Sequence, residues 1–385
     1  MKTLVHETES LNRALDGRQI SRQEACEIYD AGSGDLYHTA ESLRRRYKGR
    51  LVTFSKKAFF NVVNLCSDSC SYCTYKAGPG DSKLSLMDMR QVKELIRLAK
   101  GSRCVEALFV TGERPEERYG EARRWLRGMG FVSTAEYLAH ASEAALEAGL
   151  FPHTNAGNLH AEEMRELQKT NVSIGMMLEN ISPRLAEEGM PHHLAASKRP
   201  EARTEALRTA GRLKIPVTTG VLIGIGETVA EIVDSLFAIK GLHDTYGNIQ
   251  EIILQNFQPN PDTAMRNAPA ADGDHFRRMV ALARIIMPKA NLQIPPNLSP
   301  DSYREFLSAG INDWGGISPL TPDHVNPGFA WPEISRVDGH CADAGYDLRC
   351  RFPVYPEFFC MTNNRLREKI SEMEDGGLVR EGYWR

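Results

Sequence analysis

The sequence predicts an α/β fold in which eight parallel strands and their helices close into a (β/α)8 barrel of the TIM type. From about residue 57 onward, short apolar runs alternate with longer amphipathic segments. Strands that alternate with helices pair in parallel, and eight such units are what a closed barrel requires. The apolar runs span residues 58–64, 106–111, 149–154, 172–178, 216–223, 251–256, 291–295 and 311–316. A doubly wound open sheet is the alternative.

Polar residues at the ends of the apolar runs support the barrel. Catalytic groups of such a barrel lie at the carboxyl ends of its strands, so unusual polar side chains should stand where each run ends. They do so, in chain order, at Cys66, Gly112-Glu113, His153 and Asn155, Glu179, Gly224 to Glu227, Gln255-Asn256, Asn297 and Asp313-Trp314.

Two further segments flank the predicted barrel of residues 51–335. Residues 1–50 are polar and helical in pattern, and Ser21 to Glu24 has the sequence of a capping box. We expect an N-terminal helical layer there, with Arg44 to Arg46 on a solvated face. Residues 336–385 lose the strand–helix rhythm, which predicts a C-terminal extension that packs on the barrel.

Composition and charge exclude several classes of protein. The chain of 385 residues is 42% hydrophobic and has a net charge of −3, which gives no reason to expect nucleic acid or an anionic membrane as partner. It has no run of about 18 apolar residues that would predict a transmembrane helix. The first residues lack the apolar core of a signal peptide. We therefore expect a cytoplasmic protein with mostly reduced thiols.

Three of the eight cysteines lie within the stretch CSDSCSYC, at Cys66, Cys70 and Cys73. In a reducing compartment such a cluster is more typical of metal binding or catalysis than of disulfides. A structural zinc site and an ordinary iron–sulfur carrier each need a fourth protein ligand. Three thiols on one loop leave one metal position open, unless a distant His or Cys completes a zinc site. The widely spaced Cys341, Cys350 and Cys360 are expected to be structural.

The spacing C-x-x-x-C-x-aromatic-C after a first strand resembles the signature of the radical S-adenosylmethionine (SAM) superfamily. The resemblance implies that the three thiolates hold a [4Fe–4S] cluster whose fourth iron is chelated by SAM. It also implies that an electron from the cluster cleaves SAM to methionine and a 5′-deoxyadenosyl radical, which abstracts a hydrogen from a small-molecule substrate. Tyr72 is then expected beside the adenine.

Three further stretches resemble SAM-binding motifs of that superfamily. Thr111-Gly112-Glu113 resembles the Gly-Gly-Glu motif, whose backbone and carboxylate receive the SAM amine. Glu179 stands where several members place a carboxylate near the SAM amine or ribose. The stretch GVLIGIGE resembles the G-x-I-x-G-x-x-E motif of the fifth strand, which implies that SAM is contacted at Gly220, Leu222, Gly224 and Glu227.

Longer stretches narrow the resemblance to the deazaflavin (FO) synthase family, over roughly residues 45–335. They span residues 106–119, 152–157, 215–228, 249–257, 294–298 and 313–327. In that family a partner radical SAM component joins a tyrosine-derived carbon to 5-amino-6-ribitylaminouracil. The component that this chain resembles abstracts a hydrogen from the adduct, and ring closure with loss of ammonia yields FO for coenzyme F420 biosynthesis. A flavodoxin- or ferredoxin-type reductant is implied as well.

The implied substrate is a flat, polar heteroaromatic molecule with a ribityl tail. Amide and imidazole groups read uracil-like edges, and the candidates of this kind are His153, Asn155, Gln255, Asn256 and Asn297. Asp313 is the candidate to orient an amine or accept a proton, with His153 as a second catalytic candidate. Trp314 is expected to stack on a ring.

Three predicted loops depart from the family pattern. Asn260 stands where family members carry a basic residue, Ala156 replaces the Pro of H-x-N-P-G, and residues 195–198 read AASK in place of S-P-x-K. Loops at the barrel mouth determine substrate choice. The departures leave a paralogue that performs the same radical chemistry on another tyrosine-derived or heterocyclic molecule as the alternative. Another radical SAM enzyme and a metal-binding protein without activity are the two further hypotheses.

Overall fold

Eight parallel strands form a closed barrel, which confirms the predicted fold class. The computed structural model describes residues 2–30 and 32–385. The barrel strands are β1 (Leu51–Val63), β2 (Glu106–Thr111), β3 (Phe151–Asn155), β4 (Ser173–Gly175), β5 (Val217–Ile223), β6 (Ile249–Asn256), β7 (Leu292–Gln293) and β8 (Asp313–Ile317). They neighbour each other in chain order, and the pairing of β1 with both β8 and β2 closes the ring.

Helices surround the barrel, and three of them precede it. They are α1 (Lys2–Leu15), α2 (Arg22–Tyr29), α3 (Ser33–Lys48), α4 (Met89–Gly101), α5 (Pro115–Arg118), α6 (Gly120–Gly128), α7 (Thr134–Glu147), α8 (Ala161–Leu167), α9 (Pro200–Arg212), α10 (Val229–Tyr246), α11 (Gly273–Ile286), α12 (Ile334–Asp343), α13 (Asn364–Met373) and α14 (Glu381–Trp384). Both α2 and α3 pack on α11, so the N-terminal layer covers that side of the barrel. No helix among the described residues is long and apolar enough to cross a membrane.

The N-terminal layer bears out one local prediction and corrects another. The Ser21 hydroxyl accepts the Glu24 N–H, and the Glu24 carboxylate accepts the Ser21 N–H, as a capping box requires. The prediction of a solvated face is wrong for Arg44, which is fully buried. Its guanidinium donates to the carbonyl groups of Leu51 and Ile311, so it satisfies backbone acceptors at the amino ends of β1 and β8.

The eighth strand begins where the sequence pattern placed its end. Asp313 pairs with Thr53 at the start of β8, and Gly316 and Ile317 continue the pairing with β1. The stretch was interpreted as a strand ending at Asp313 and Trp314, but the small glycines that follow belong to the strand. Both residues therefore lie at the amino end of the barrel, opposite the end where catalytic groups gather.

The C-terminal extension adds a ninth strand to the barrel. Strand β9 (Asp347–Cys350) pairs in parallel with the first residues of β1, from Leu51 to Phe54. This pairing also explains why β1 starts earlier than its apolar run predicted. A separate two-stranded ribbon follows, formed by β10 (Glu374–Asp375) and β11 (Leu378–Val379). The extension thus continues the sheet at the amino end of the barrel.

A buried ionic network closes that end. Arg351, just after β9, donates from Nε to Asp313 at 2.7 Å. Its Nη2 donates to Asp313 at 3.0 Å and to Glu251 at 2.5 Å. The Tyr355 hydroxyl and the Thr218 hydroxyl also donate to Glu251. Burial raises the pKa of Glu251 to about 7, against the lowering effect of Arg351 and with a further rise from Asp313. One guanidinium therefore bridges two buried carboxyl groups.

Replacing this arginine is expected to destabilise the fold strongly. In Arg351→Leu the carboxylates of Asp313 and Glu251 lose their buried partner, and breaking such a pair costs about 3–5 kcal/mol. Urea unfolding of the two proteins measures the difference in free energy.

Arg349→Leu is the matched control, because Arg349 lies two residues earlier, on β9, and pairs with the exposed Asp375 at 3.5 Å. An exposed pair of this kind contributes about 1 kcal/mol or less. Equal losses in the two variants would show that the buried network is not what holds the extension to the barrel.

Candidate active site

A cavity of about 220 Å³ opens at the carboxyl ends of the strands, and we call it the active-site cavity. Three half-buried cysteines of the loop after β1 form part of its wall: Cys66, Cys70 and Cys73. Residues that end β2, β3 and β6 face it as well, namely Thr111, Asn155 and Asn256. The structure thus brings the cysteine loop to the end of the barrel where the sequence predicted the chemistry.

The three thiols do not surround a single point at which one metal ion could bind. Within the described residues, no group of three or more His, Cys, Asp or Glu side chains is placed to hold a single metal ion. A mononuclear zinc site surrounds one ion with its ligands, whereas each thiolate of an iron–sulfur cluster binds its own iron. All three cysteines are free thiols. The donor set therefore fits a cluster held by three cysteines better than it fits a single ion.

Burial keeps the Cys66 and Cys70 thiols protonated in the absence of a metal. It raises the pKa of Cys66 to about 11 and that of Cys70 to about 12. Metal ligation requires thiolates, which burial disfavours because it removes their solvation by water. The positive charge of the iron ions of a bound cluster would stabilise the thiolates instead. One protein group already points at a sulfur, since the Glu113 N–H donates to Cys66 Sγ at 3.2 Å.

The turn after β2 is pressed against the cysteine loop, and only glycine fits at its centre. A Cβ on Gly112 would overlap the Leu65 carbonyl oxygen and come within 2.7 Å of the Cys66 Cβ. Two backbone hydrogen bonds fix this approach, from Gly112 to Val63 at 2.8 Å and from Ser67 to Glu113 at 2.8 Å. The contact explains why this position carries no side chain.

The Glu113 carboxylate faces the same cavity from the other side of the turn. It accepts the Asn158 N–H at 3.0 Å, and a Cβ on Gly157 would overlap it. Burial raises the pKa of this carboxyl, although Arg203 and the Asn158 N–H oppose the rise. Beside it, Thr111 Oγ1 is buried without a hydrogen-bond partner in the described part of the chain. Both groups are free to meet a polar ligand.

A second group of charges lines the same cavity. Glu179, which has a left-handed backbone with φ of 64°, forms an ion pair with Lys198 at 2.5 Å. Burial raises the pKa of Glu179, but Lys198 and Arg203 lower it by more, and the net pKa lies below its usual value. The carboxyl therefore stays ionised. Arg203 is buried, and its Nε has no hydrogen-bond partner among the described residues. The cavity thus offers both anionic and cationic groups.

The fifth-strand motif contributes one side chain to the cavity and three structural positions. Leu222 lines the cavity. Gly220 lets β5 lie against β6, because a Cβ there would overlap the Ile253 carbonyl oxygen. Gly224 has φ of 102°, and the Glu227 carboxylate accepts its N–H at 2.7 Å. Glu227 therefore holds the turn after the strand, while its contact with SAM stays a prediction.

Tyr72 lines the cavity between two cysteines and is fixed by a histidine. Its hydroxyl hydrogen-bonds His192 Nε2 at 3.0 Å, and the two rings meet edge to face at 5.6 Å. Behind it lies a small apolar cluster that includes Leu222 and Phe257. Burial, with Lys198 and Arg203 nearby, lowers the pKa of His192 to about 4, so a neutral imidazole positions the ring.

The predicted substrate residues separate into two groups. Asn155, Gln255 and Asn256 line the active-site cavity, and the Asn256 amide also donates to the Leu298 carbonyl. The other four do not line it. His153 faces a deeper cavity, Asn297 donates to Asp323, Asp313 binds Arg351, and the buried Trp314 ring donates to Cys341.

These positions correct the predicted catalytic role of Asp313 and the predicted stacking of Trp314. Asp313 is fully buried and its carboxylate is occupied by Arg351 and Thr53. Trp314 packs edge to face on Tyr303 outside the barrel interior. Both assignments failed because the start of β8 was taken for its end.

Sequence reasoning missed two charged residues of the cavity, Asp68 and Arg203. Asp68 lies inside the cysteine loop and accepts from the Ser197 hydroxyl. Arg203 occupies the buried face of α9, where Ala206, Leu207 and Ala210 follow at helical spacing. An arginine on an apolar helix face was the signal that could have identified it.

Comparisons with known proteins agree with this geometry. The sequence pattern of the radical SAM superfamily matches residues 60–239. Solved structures of a methylornithine synthase and of an [FeFe]-hydrogenase maturase share the fold. Their TM-scores are 0.69 and 0.75, at 16% and 17% identity, and the matches cover 88% and 89% of this chain and 97% and 76% of those chains.

Curated relatives match most of the chain. A 7,8-didemethyl-8-hydroxy-5-deazariboflavin synthase of Methanopyrus kandleri is 43% identical over 87% of this chain and 100% of its own length, and that of Methanocaldococcus jannaschii is 40% identical over 92% and 98%. The FO synthase of Streptomyces avermitilis is 42% identical over 91% of this chain, which spans 42% of that longer protein. The chain belongs to the radical SAM superfamily and, within it, to the 7,8-didemethyl-8-hydroxy-5-deazariboflavin (FO) synthase family.

Proposed function

We propose that this chain converts the adduct of a tyrosine-derived carbon and 5-amino-6-ribitylaminouracil to FO, with ring closure and loss of ammonia. The observation that carries the proposal is the meeting of three free cysteines with the Thr111 to Glu113 turn in one cavity. Family membership narrows the product to a deazaflavin, because single-component synthases match along their whole length.

The residues of the active-site cavity fit the two groups that this reaction needs. When bound, a [4Fe–4S] cluster and SAM supply a carbon radical that removes a hydrogen atom from the substrate. Cys66, Cys70 and Cys73 would hold the cluster. Glu113 is suited to an ammonium group, and Arg203 is suited to a carboxylate because its buried Nε has no partner among the described residues.

The remaining cavity residues orient the substrate and exclude water. Asn155, Gln255 and Asn256 present amide groups beside the cysteine loop, where they can hydrogen-bond a polar heteroaromatic ring. Tyr72 and the apolar cluster behind it cover one wall. A closed, dry cavity protects a reactive carbon radical from side reactions.

The different lengths of the FO synthase relatives support the proposal that this chain works with a second protein component. Some FO synthases are more than twice as long as the region they share with this chain, which spans 42% of the Streptomyces avermitilis protein, whereas others match it end to end. We infer that a separate radical SAM component supplies the adduct here, and that a flavodoxin- or ferredoxin-type protein supplies the electron.

Reconstitution with the partner component tests the proposal. The anaerobically reconstituted chain is incubated with that component, tyrosine, the ribitylaminouracil, SAM and dithionite, and FO is measured by its fluorescence. We expect FO only when both proteins are present, together with 5′-deoxyadenosine. SAM cleavage without FO would reject this substrate and favour a paralogue with another heterocyclic substrate.

Each cluster cysteine is expected to be essential for SAM cleavage but dispensable for folding. Cys66→Ala, Cys70→Ala and Cys73→Ala each remove one thiolate, whereas the barrel is held by strand pairing. Iron and sulfide content, 5′-deoxyadenosine formation and circular dichroism measure the three effects. Cys360→Ala is the control, because Cys360 is exposed on the C-terminal extension. Full activity in any cluster variant contradicts the assignment.

The close approach at Gly112 is expected to make cluster loading sensitive to a single methyl group. In Gly112→Ala the Cβ overlaps the Leu65 carbonyl oxygen, and relieving such overlap costs about 1–3 kcal/mol. The loop should shift, and iron content and SAM cleavage should fall together. In Gly128→Ala the new Cβ meets no atom within 4 Å, so this control should load normally. Equal iron content in the two variants would refute the coupling.

A further inference from the structure

A second cavity lies deeper in the barrel, beneath the active-site cavity. We call it the lower chamber; it has a volume of about 110 Å³ and shares Asn155 and Met177 with the cavity above. Its polar lining comes from Lys57, Glu106, His153, Glu251, Gln293 and Arg351. The two spaces therefore meet at Asn155, close to the ends of the strands where the cysteine loop lies.

Three glycines make room for the polar side chains of the lower chamber. A Cβ on Gly316 would overlap Lys57 Cδ and lie 2.8 Å from its Nζ. A Cβ on Gly175 would lie 2.7 Å from His153 Nε2, and one on Gly315 would lie 2.5 Å from the side-chain amide carbon of Gln293. Larger residues at these positions would push the polar groups aside, so the barrel wall is shaped around them.

Lys57 and Glu106 face the lower chamber without forming an ion pair with each other. Burial lowers the pKa of Lys57, and the charge of Glu106 opposes this only in part. Lys57 and Glu106 are partners in the register of β1 and β2 and are only 8% and 5% exposed. Among the described residues, neither side chain has a hydrogen bond or ion pair with the protein; Lys57 Nζ lies 4.6 Å from the centre of the Trp331 ring. Burying unpaired charges is costly, so a ligand that meets both would be bound favourably.

His153 presents a hydrogen-bond acceptor to the same space. The Ser173 hydroxyl donates to the Pro353 carbonyl, which can only accept. Because the Ser173 hydroxyl uses its hydrogen in this bond, its oxygen must accept the hydrogen of His153 Nδ1, at 2.6 Å. Burial lowers the pKa of His153 to about 4, with Arg351 and Lys57 lowering it further and Glu106 opposing. The neutral ring therefore directs the lone pair of Nε2 past Gly175 into the chamber.

The floor of the lower chamber is already satisfied by protein groups. Glu251 and Arg351 line it, but each is committed to the buried network with Asp313, Tyr355 and Thr218. Recognition is therefore left to Lys57, Glu106, His153 and Gln293. Together they offer a cation and an amide as donors, and a carboxylate, an imidazole nitrogen and an amide oxygen as acceptors.

The size of the lower chamber suits one ring and not a whole adduct. Its 110 Å³ correspond to the liquid volume of roughly four water molecules, which is the scale of a single six-membered heterocycle. A pyrimidinedione with two ring N–H donors alternates them with its two carbonyl acceptors around the planar ring, and the four free groups provide the complementary partners.

We propose that the lower chamber is the binding site for the pyrimidinedione ring of the substrate, with Lys57 and Gln293 donating to its carbonyl groups and Glu106 and His153 accepting from its N–H groups. This inference rests on the proposed function, since it assigns a place to one part of the proposed adduct. The ring then lies below Asn155, and the part of the substrate attached to it extends into the active-site cavity.

Direct binding to the cluster-loaded protein tests the inference. FO, whose fused ring keeps both carbonyl groups but only one of the two ring N–H groups, serves as a fluorescent probe, and 5-amino-6-ribitylaminouracil serves as a competitor. Lys57→Met is expected to raise the Kd of both compounds about tenfold or more, because it removes a hydrogen bond donated by a charged group. Glu106→Gln keeps an acceptor but loses its charge, so it is expected to raise the Kd of the ribitylaminouracil by a smaller factor. Lys48→Met is the matched control, because Lys48 is a mostly buried lysine that binds Asn291 outside the chamber.

The affinity for SAM and the melting temperature are measured on the same samples. A chamber variant that keeps the Kd of the wild-type protein, or that weakens SAM and FO binding equally, overturns the inference. If Lys57→Met or Glu106→Gln does not fold, Gln293→Leu, which removes no charge, is tested in its place. Its Kd values for FO and SAM are judged in the same way.

The same assays separate the inference from the proposed function. A wild-type protein that makes no FO contradicts the proposed function, while the Lys57-dependent binding of the ribitylaminouracil still supports the chamber. A wild-type protein that makes FO while the variants bind as tightly as it does leaves the function intact and rejects the chamber. Absence of binding of either compound to the wild-type protein also rejects it.

Discussion

The pairing of β1 with three other strands is the constraint on which the rest of the structure depends. Its 13 residues pair with β8 on one side and with β2 and then β9 on the other. This pairing closes the barrel, directs the cysteine loop out of its carboxyl end and turns Lys57 into its interior. The same strand joins the C-terminal extension to the amino end, so one element fixes the top, the middle and the floor of the barrel.

The glycines of the barrel show how closely the site depends on backbone approach. Gly112 allows the turn after β2 to touch the cysteine loop, whereas Gly175 and Gly316 give way to side chains from neighbouring strands. The first kind of position brings two backbones together, and the second opens space inside a ring of strands that would otherwise be filled by side chains. A barrel interior is normally packed, so the space beside Lys57 requires such small residues.

The sequence predicted the upper half of the site better than the lower half. Local spacing was enough for Cys66, Cys70 and Cys73, and a short turn was enough for Gly112 and Glu113, because both lie directly after long apolar runs. The places of His153 and Asp313 depended on where short strands begin, which apolar runs define to within only a few residues. Strand β8 starts at Asp313, and an error at that boundary moves a residue to the opposite end of the barrel.

Longer-range contacts could not be read from the sequence. Arg351 reaches Asp313 and Glu251 across 38 and 100 residues of chain, and its segment has no strand pattern of the barrel type. Likewise, Arg203 and Lys198 converge on the active-site cavity from a region interpreted as a loop and a helix. Local patterns identify the elements of a barrel, but they do not specify which charges of separate elements meet inside it.

The barrel interior contains two groups of buried charges, one that is structural and one that we assign to substrate binding. Arg351 is held by Asp313 and Glu251, and the hydroxyl groups of Tyr355 and Thr218 satisfy the remaining acceptors of Glu251. Such a network is complete without a ligand. Lys57 and Glu106 line the same lower chamber, buried and opposite in charge, yet they form no ion pair among the described residues. Since an incomplete buried pair is costly for a fold, its retention beside a satisfied network is best explained by a substrate group that completes it.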